Sequence, residues 1–506
     1  MSKCILGIDI GTTNVKSVLF ALDGSILAQE SAEYPTFFPE AGWAEQDAGQ
    51  WWKATVETIS QITTNLQINK YEIAAIGVSS QAPTVLPLDI KGNPLRNALI
   101  WMDRRSEKEC DFLRQKIGEV KIKEITGNRI DPYFAFPKLL WFRENEPHLL
   151  NRTHKILQCN GYVNYKLTGC FSIDKVHASL SQIYDKNKNR WSQELCQQLD
   201  ISPKILPKIY ECTDIIGTVT KKAAAITGLS QGIPVIAGTV DGSAAAIEAG
   251  VINSGEAVEM TGTSTVLLIA SDKWKNNENL ITMYQGFGNH CLIFGAMSST
   301  GACLKWFKDQ FGNTEKKVAQ KLNLNIFELM DLEASKVEAG AGNLLFLPYM
   351  MGERSPIWDS HARGMFIGLT LNTSRKQMIR AILEGTSFAL YHNLKEVTKL
   401  GLKVNKLKAV GGGSNSDLWL KIKASMLNMP ILVPETSTGA PFGDALLAGV
   451  GVKLYNNVRD IVRKSIKIKK VIMPDNTWHE RYEKLFEVYI NIYKHTKDDL
   501  FKLTNI

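Results

Sequence analysis

No two of the eight cysteines, at positions 4, 110, 159, 170, 196, 212, 291 and 303, stand in C-x-x-C spacing. That excludes the common zinc and redox motifs and points to reduced, mostly buried thiols. No apolar run approaches the roughly 20 residues that a membrane-spanning helix needs. No G-x-x-x-x-G-K-S/T segment occurs, and no strand runs into G-x-G-x-x-G, so neither the P-loop nor the Rossmann route to a nucleotide is offered. Long linkers and low-complexity segments are missing too. The first apolar strand begins near Cys4, which leaves no room for a cleavable leader, and a cytoplasmic location is expected.

What is present is ordinary for a globular chain, with 44% hydrophobic and 22% charged residues. A chain of 506 residues exceeds what one core organises, so two large domains are expected. The net charge of +8 is spread along the sequence. Its densest stretch, "RKSIKIKK" at 463–470, alternates like an edge strand with one wet face. Aromatics do not interleave with these lysines, so no nucleic-acid partner is expected, and no membrane partner either.

Strands and helices alternate throughout, which predicts an α/β fold. The segments "EIAAIGVSSQ" (72–81), "IPVIAGTVDG" (233–242) and "LKAVGGGSNS" (407–416) each run from apolar β-formers into glycine and small polar residues. In open α/β sheets such strand ends deliver the ligand-binding loops. Residues 377–397 have helical spacing. Near the end, Tyr482, Leu485, Phe486, Tyr489, Ile492 and Tyr493 form one apolar stripe that predicts core packing.

The segment "GIDIGTTNVKSVLF" (7–20) reads as a strand, a tight turn and a second strand. A fainter echo, "GTST" followed by "VLLIA", lies about 250 residues later, which suggests duplicated halves with a boundary near Gly250, at 1–250 and 251–506. Turns rich in Gly, Thr and Ser present backbone N–H groups and hydroxyls to an anion. "GTTN", "GTST" and "GGGSNS" all have that composition, the last opening a helix near Asp417. Lys16, just past the first turn, is placed to neutralise phosphate charge. Asp9 lies inside an apolar run between Ile8 and Ile10, where a lone carboxylate is costly unless something meets it. Asp241 ends another apolar strand beside a glycine. A magnesium–nucleotide site needs one or two carboxylates plus phosphate oxygens, and phosphoryl transfer to an alcohol needs an acceptor for the hydroxyl proton. Asp9 and Asp241 together answer both needs.

These residues resemble the FGGY carbohydrate kinases over essentially the whole chain. The carrying segments, in order, are "DIGTTNVK", "GWAEQDAGQWW" (42–52), "YFAFPKLLWFREN" (133–145), "GERSPIWD" (352–359), "GMFIGLTLNTSRKQMIRAILE" (364–384) and "GGGSNSDLW" (411–419). The third departs from the family signature at Ala135, where Pro, Ser or Thr is usual. The resemblance implies two actin-like, ribonuclease-H-like domains with ATP, Mg2+ and a small-molecule sugar in the cleft between them. By motif position Asp241 is the implied general base and Asp9 the residue near magnesium, with Asp241 a second candidate ligand. Thr12, Thr13 and Lys16 fall in the first phosphate loop, and Gly262 and Thr263 in the second. Gly411, Gly412 and Asn415 fall around the ribose and α-phosphate. Within the signatures, Lys138 and Trp141 are expected to pack, Glu384 to do no chemistry, and Arg354 to form a structural ion pair. A dimer is common in the family, which leaves a homodimer open.

The acceptor is written less clearly. Around the implied pocket the sequence offers Gln81, Ala82, Asp103 and Tyr133, together with Trp101 and Arg104. Xylulose kinases have a stretch like Gln-Met-His-Gly where this chain has "QAPT", and glycerol kinases one like Gln-Arg-Glu-Thr. Gly242 stands where those families often carry Asn or Gln. The expectation is a kinase of the xylulose kinase-like branch acting on a ketopentose such as D-xylulose. Gluconate or polyol (glycerol or erythritol) phosphorylation is the alternative within the family, and a non-catalytic sugar or nucleotide sensor the alternative outside it.

Overall fold

The computed structural model describes residues 2–64, 71–435 and 438–504. Its first half is built on β1 (Ser2–Ile10), β2 (Asn14–Ala21), β3 (Ile26–Glu33), α1 (Ala48–Thr64), β4 (Tyr71–Ser80), α2 (Ala135–Asn145), β5 (Ile215–Thr218), β6 (Pro234–Ile236), β7 (Thr239–Val240) and α3 (Asp241–Glu248). The strands make a seven-stranded sheet in the order β5-β6-β4-β1-β2-β3, with β7 also paired to β4. The second half is built on β8 (Ala257–Thr261), β9 (Thr265–Ser271), β10 (Ile281–Tyr284), β11 (Cys291–Met297), α4 (Arg375–Lys399), β12 (Leu407–Val410), α5 (Asp417–Leu427), β13 (Ile431–Pro434), α6 (Pro441–Gly451), β14 (Ile468–Ile472) and α7 (Asn476–Thr504). Its sheet also has seven strands, in the order β10-β11-β9-β8-β12-β13-β14.

The echo between the halves is structural. The hairpin β1–β2 turns at Gly11, whose N–H donates to Asn14 O at 3.0 Å, and β1 then pairs in parallel with β4. The hairpin β8–β9 turns at Gly262, whose N–H donates to Ser264 O at 2.9 Å, and β8 pairs in parallel with β12. Each hairpin thus stands beside a parallel neighbour, which carries its turn to the same end of the sheet as that neighbour's loop.

Two regions differ in detail from the sequence reading. Residues 233–242 form two short strands, because the chain breaks at Gly238 with φ +80° and a Cβ there would lie 1.9 Å from Val78 O. Asp241 opens α3 directly after the second of them, so it stands at a helix start as well as a strand end. The basic stretch 463–470 is only partly a strand. Arg463 and Lys464 close the helix Val458–Ser465, and β14 then runs as the sheet edge antiparallel to β13. All eight cysteines are free, and all but Cys170 are buried. Along α7, Tyr482 and Tyr489 are fully buried and the rest of the stripe packs against the second core. No helix among the described residues is long and apolar enough to cross a membrane.

The halves are joined through α6, which belongs to the second by sequence but packs across β1 and β4 of the first and against α3. Its buried Ala445, Leu446 and Leu447 share one core with Ile5 and Phe20 of the first sheet and with Val258 and Leu268 of the second. The approach is close enough to require glycine in both strands. A Cβ on Gly7 would lie 2.0 Å from Pro441 O, and one on Gly77 would lie 2.3 Å from Asp444 O. Because those atoms are backbone, neither can turn aside as a side chain would. Gly7→Ala is therefore expected to destabilise the protein by about 1–3 kcal/mol, the usual cost of overpacking. Thermal unfolding should register it as a lower Tm; an unchanged Tm would mean that strand and helix have room to part.

Candidate active site

A cavity of about 270 Å3 opens between the halves. Its lining includes Asp9, Thr12, Ala82, Trp101, Tyr133 and Asp241 from the first half, and Met260, Phe294 and Arg354 from the second. A second cavity, of about 630 Å3, is lined by Gly262, Gly411, Asn415, Thr438 and Lys470. Met260 and Gly439 line both, so the two spaces adjoin.

Sheet register explains how the two aspartates meet. Asp9 on β1 stands opposite Ser79 on β4 and opposite Lys16 on β2. On the other side of β4, Thr239 pairs with Ser79 and Val240 with Ser80, which puts Asp241 one residue beyond the strand end. Asp9 and Asp241 thus emerge from two strands that flank β4, at the same end of the sheet. Burial raises the pKa of Asp9, and the negative charge of Asp241 raises it further, against smaller lowering effects from the Ser79 hydroxyl and Lys16. Burial also raises Asp241, opposed by the Gly242 N–H, which donates to Oδ1 at 2.6 Å, and by His177 nearby. Two half-buried carboxylates sharing a cavity, with no ion pair formed at either among the described residues, are an all-oxygen donor set short of a cation. No closed cage of three or more candidate ligands occurs among the described residues. This suits magnesium, which keeps several waters and takes one or two carboxylates plus phosphate oxygens.

The other expected nucleotide residues divide. Gly262, Gly411 and Asn415 line the second cavity. Thr13, Thr263 and Gly412 do not. They sit exposed on the turns, with the Thr13 carbonyl holding Tyr34 N at 3.0 Å and the Thr263 carbonyl holding Ala302 N at 3.0 Å. Lys16 reaches across the cleft floor, its Nζ donating to Thr438 O at 2.6 Å. Glu248 grips the same loop, accepting from Thr438 Oγ1 at 2.8 Å and from Gly439 N at 3.3 Å. Sequence reasoning missed Glu248. The available signal was a carboxylate one heptad after Asp241 in the otherwise apolar helix "DGSAAAIEAG".

On the acceptor side two expectations are corrected. Asp103 does not face the cavity. It is fully buried and its carboxylate is saturated by Ala44 N at 2.7 Å, Arg105 N at 3.1 Å and the Arg105 guanidinium at 2.8 Å. Gln81 lies beneath the cavity and donates to Gln46 Oε1 at 2.6 Å. Ala82 and Tyr133 do line it, with the Tyr133 hydroxyl donating to Ala82 O at 3.0 Å. Trp101 adds a ring wall, and its Nε1 donates to Thr12 Oγ1 at 3.1 Å. Lys138 packs as expected, but its buried Nζ also donates to Tyr133 O at 2.9 Å and Phe134 O at 3.3 Å, which pins the loop carrying Tyr133.

Arg354 is the third correction. No ion pair forms at it among the described residues. Its guanidinium stacks over Trp101 at 5.2 Å and lines the cavity, reaching Met297 O at 3.4 Å. The acid before it, Glu353, is occupied by the backbone N–H groups of Ser298 and Arg354, at 2.6 and 2.8 Å. Glu384, by contrast, sits in a buried network with Arg380 at 2.6 Å and Tyr482 at 2.8 Å, remote from both cavities.

Models of known families match most of the chain. The N-terminal domain of the FGGY family of carbohydrate kinases matches residues 4–248, and the C-terminal domain of that family matches residues 257–452. A xylulose kinase of Bacillus subtilis (strain 168) is 31% identical over 98% of this chain and 98% of its own. A gluconokinase of Bacillus licheniformis is 28% identical over 100% of this chain and 98% of its own. Among solved structures, a ligand-bound xylulose kinase from Lactobacillus acidophilus superposes with a TM-score of 0.91 at 28% identity, covering 99% of this chain and 100% of that one. A gluconate kinase from the same organism gives 0.92 at 28% identity, with the same coverage. Two α/β halves of like topology with a carboxylate-lined cleft between them, and family models that match both, mean that this chain belongs to the FGGY family of carbohydrate kinases.

Proposed function

We propose that the protein transfers the γ-phosphoryl group of ATP to a hydroxyl of a ketopentose, with D-xylulose the leading acceptor. The observation that carries this is one cavity holding Asp9, Thr12 and Asp241, adjoining a second that is lined by the glycines of both C-terminal turns. In this reading residues 1–250 supply the base and most of the acceptor wall, and 251–506 hold the nucleotide. Asp241 takes the proton of the acceptor hydroxyl as its oxygen bonds to the γ-phosphorus and the bond to the β-phosphate bridging oxygen breaks. Thr12 and the Gly262 turn approach the phosphates, and Gly411 and Asn415 the nucleoside side. Asp9 and Asp241 are the residues that would hold magnesium, which when bound supplies charge neutralisation at the phosphates. Closure of the halves keeps water from competing for the phosphoryl group.

A second reading has its own observation. Arg354 is a cation in the acceptor cavity with no carboxylate paired to it among the described residues, which suits an acceptor that brings its own, such as gluconate. Magnesium-ATP-dependent ADP release with ketopentoses, gluconate, glycerol and erythritol separates the two. The highest kcat/KM is expected with D-xylulose; a preference for gluconate would replace the first reading by the second. ADP binding without turnover on any acceptor would favour a sensor.

Asp241→Asn is expected to lower kcat by about 10²–10⁴-fold, the range for a lost general base, while ADP binding persists. Wild-type turnover would assign the base elsewhere. The acid limb of kcat/KM is expected above the ordinary aspartate value of 3.8, because burial opposes ionisation of the base. Activity should be full above that limb and fall as pH drops through it; a limb at or below the ordinary value would remove Asp241 from the role. At Gly262 an added Cβ meets nothing within 4 Å, so Gly262→Val projects into the nucleotide cavity without disturbing the fold. It should raise the KM for ATP and leave Tm unchanged. An unaltered KM would make this turn a turn only.

A further inference from the structure

The helix α6 reads "PFGDALLAGVG", and its one ionisable residue is Asp444. Asp444 is fully buried, like its neighbours Ala445 and Leu446. Its Oδ2 is 2.7 Å from Ser79 Oγ. The same hydroxyl is 3.3 Å from Asp9 Oδ1. Asp444 Oδ1 has no hydrogen-bond partner, and no ion pair forms at Asp444 among the described residues. Burial of a carboxyl whose hydrogen bonds come from Ser79 alone is costly, and alanine at this site of an apolar helix would avoid the cost. A helix core does not need this group, whereas Ser79 and Asp9 lie directly beyond it.

We propose that Asp444 is a positioning residue for Asp9, acting through the Ser79 hydroxyl. The geometry makes this a bridge between the halves, since Asp444 comes from the second and Ser79 and Asp9 from adjacent strands of the first. The backbone on both sides is fixed. The Asp444 carbonyl lies against Gly77, two residues before Ser79, at a distance that admits no side chain there, and Pro441 O lies as close against Gly7, two residues before Asp9. Asp444 therefore meets Ser79 at one register only, and Ser79 is held between the two carboxyls. Burial, with Asp9 and Asp241 near, raises the pKa of Asp444 well above its ordinary value of 3.8. The consequence is that a residue outside both cavities sets how Asp9 is presented to the magnesium–nucleotide end of the site.

The inference rests on the reading of Asp9 given above, and the test separates the two. Calorimetric titration of ADP, with and without magnesium, is made on the full-length protein and on Asp444→Ala, Asp444→Asn, Ser79→Ala and Asp9→Asn, with Tm measured for each. The wild type is expected to bind ADP more tightly when magnesium is present. Asp444→Ala and Ser79→Ala should each lose about ten-fold or more of that magnesium-dependent gain, as loss of a group that orients a metal ligand does, while magnesium-free binding stays put. A double variant carrying both Asp444→Ala and Ser79→Ala should lose no more than either single one. Asp444→Asn, which keeps a hydrogen-bonding group of the same shape, should restore the gain. A lowered Tm in Asp444→Ala with the gain intact would make Asp444 a packing residue only and overturn the inference. So would additive losses, or a loss in Asp9→Asn alone. If Asp9→Asn also leaves the gain intact, the reading of Asp9 falls and takes this one with it.

Discussion

Two half-buried carboxylates share one cleft, and among the described residues no cation is paired to them. Asp9 and Asp241 come from strands on either side of β4, and the register of those strands leaves them no alternative but to converge. Burial alone makes the ionised form of each unfavourable, and at Asp9 the charge of Asp241 adds to it. A structure optimised only for stability would not keep this arrangement, because apolar residues of similar volume would fill it at less cost. Much of the surrounding architecture can be understood as tolerating it. Lys16 stands one rung away on β2, the Gly242 N–H caps one oxygen, and Ser79 holds another. None of these neutralises the pair. On the proposed reading, the pair is a place where a divalent ion and phosphate oxygens would be better accommodated than water alone.

The second requirement is that the halves keep a fixed relation at the floor of the cleft while the mouth admits ligands. The exchange of α6 onto the first sheet meets it. Gly7 and Gly77 allow helix and strands to approach until backbone meets backbone, and the buried Ala445, Leu446 and Leu447 join a core that reaches both sheets. The loop before the helix is held from the first half as well, with Lys16 on the Thr438 carbonyl and Glu248 on the Thr438 and Gly439 N–H groups and the Thr438 hydroxyl. Gly439 lines both cavities. The pinned loop is thus part of the boundary between the two cavities, and on the proposed reading the same contacts that set the domain geometry also set the distance over which a phosphoryl group has to pass.

Much of this was legible in the sequence because it is local. The alternation in β1, the Gly-Thr-Thr-Asn turn and the odd carboxylate between Ile8 and Ile10 already specify a hairpin with a buried charge, and the second hairpin repeats it. The helix at 377–397 and the aromatic stripe of α7 were equally visible through their period. What escaped depends on contacts hundreds of residues apart. Asp103 lies two residues after Trp101, which does line the cavity, yet it turns inward because Arg105 and the Ala44 N–H supply its hydrogen bonds. Arg354 was expected to find a carboxylate, but Glu353 is consumed by two backbone N–H groups. Residues 233–242 read as one strand because nothing in their composition reveals that Gly238 passes close over Val78.

The acceptor wall follows a different logic from the phosphate end. Ala82, Trp101, Tyr133, Met260 and Phe294 give it rings and apolar bulk, while its polar groups are few and already engaged. The Tyr133 hydroxyl is spent on Ala82 O and the Trp101 N–H on Thr12, whereas the charged groups Asp241 and Arg354 keep capacity for a ligand. A sugar recognised mainly by many direct hydrogen bonds would leave its hydroxyls unpaired against such a wall, and unpaired buried polar groups are penalised. Selectivity in this cavity therefore rests on shape and ring stacking together with two charges of opposite sign. On the proposed reading, one takes a proton from the reacting hydroxyl, and the other meets whatever acceptor oxygen carries the most negative charge. In that reading, which acceptors fit depends on the span between those charges more than on the motif "QAPT", because Gln81 lies beneath the floor and Ala82 contributes its methyl and its carbonyl.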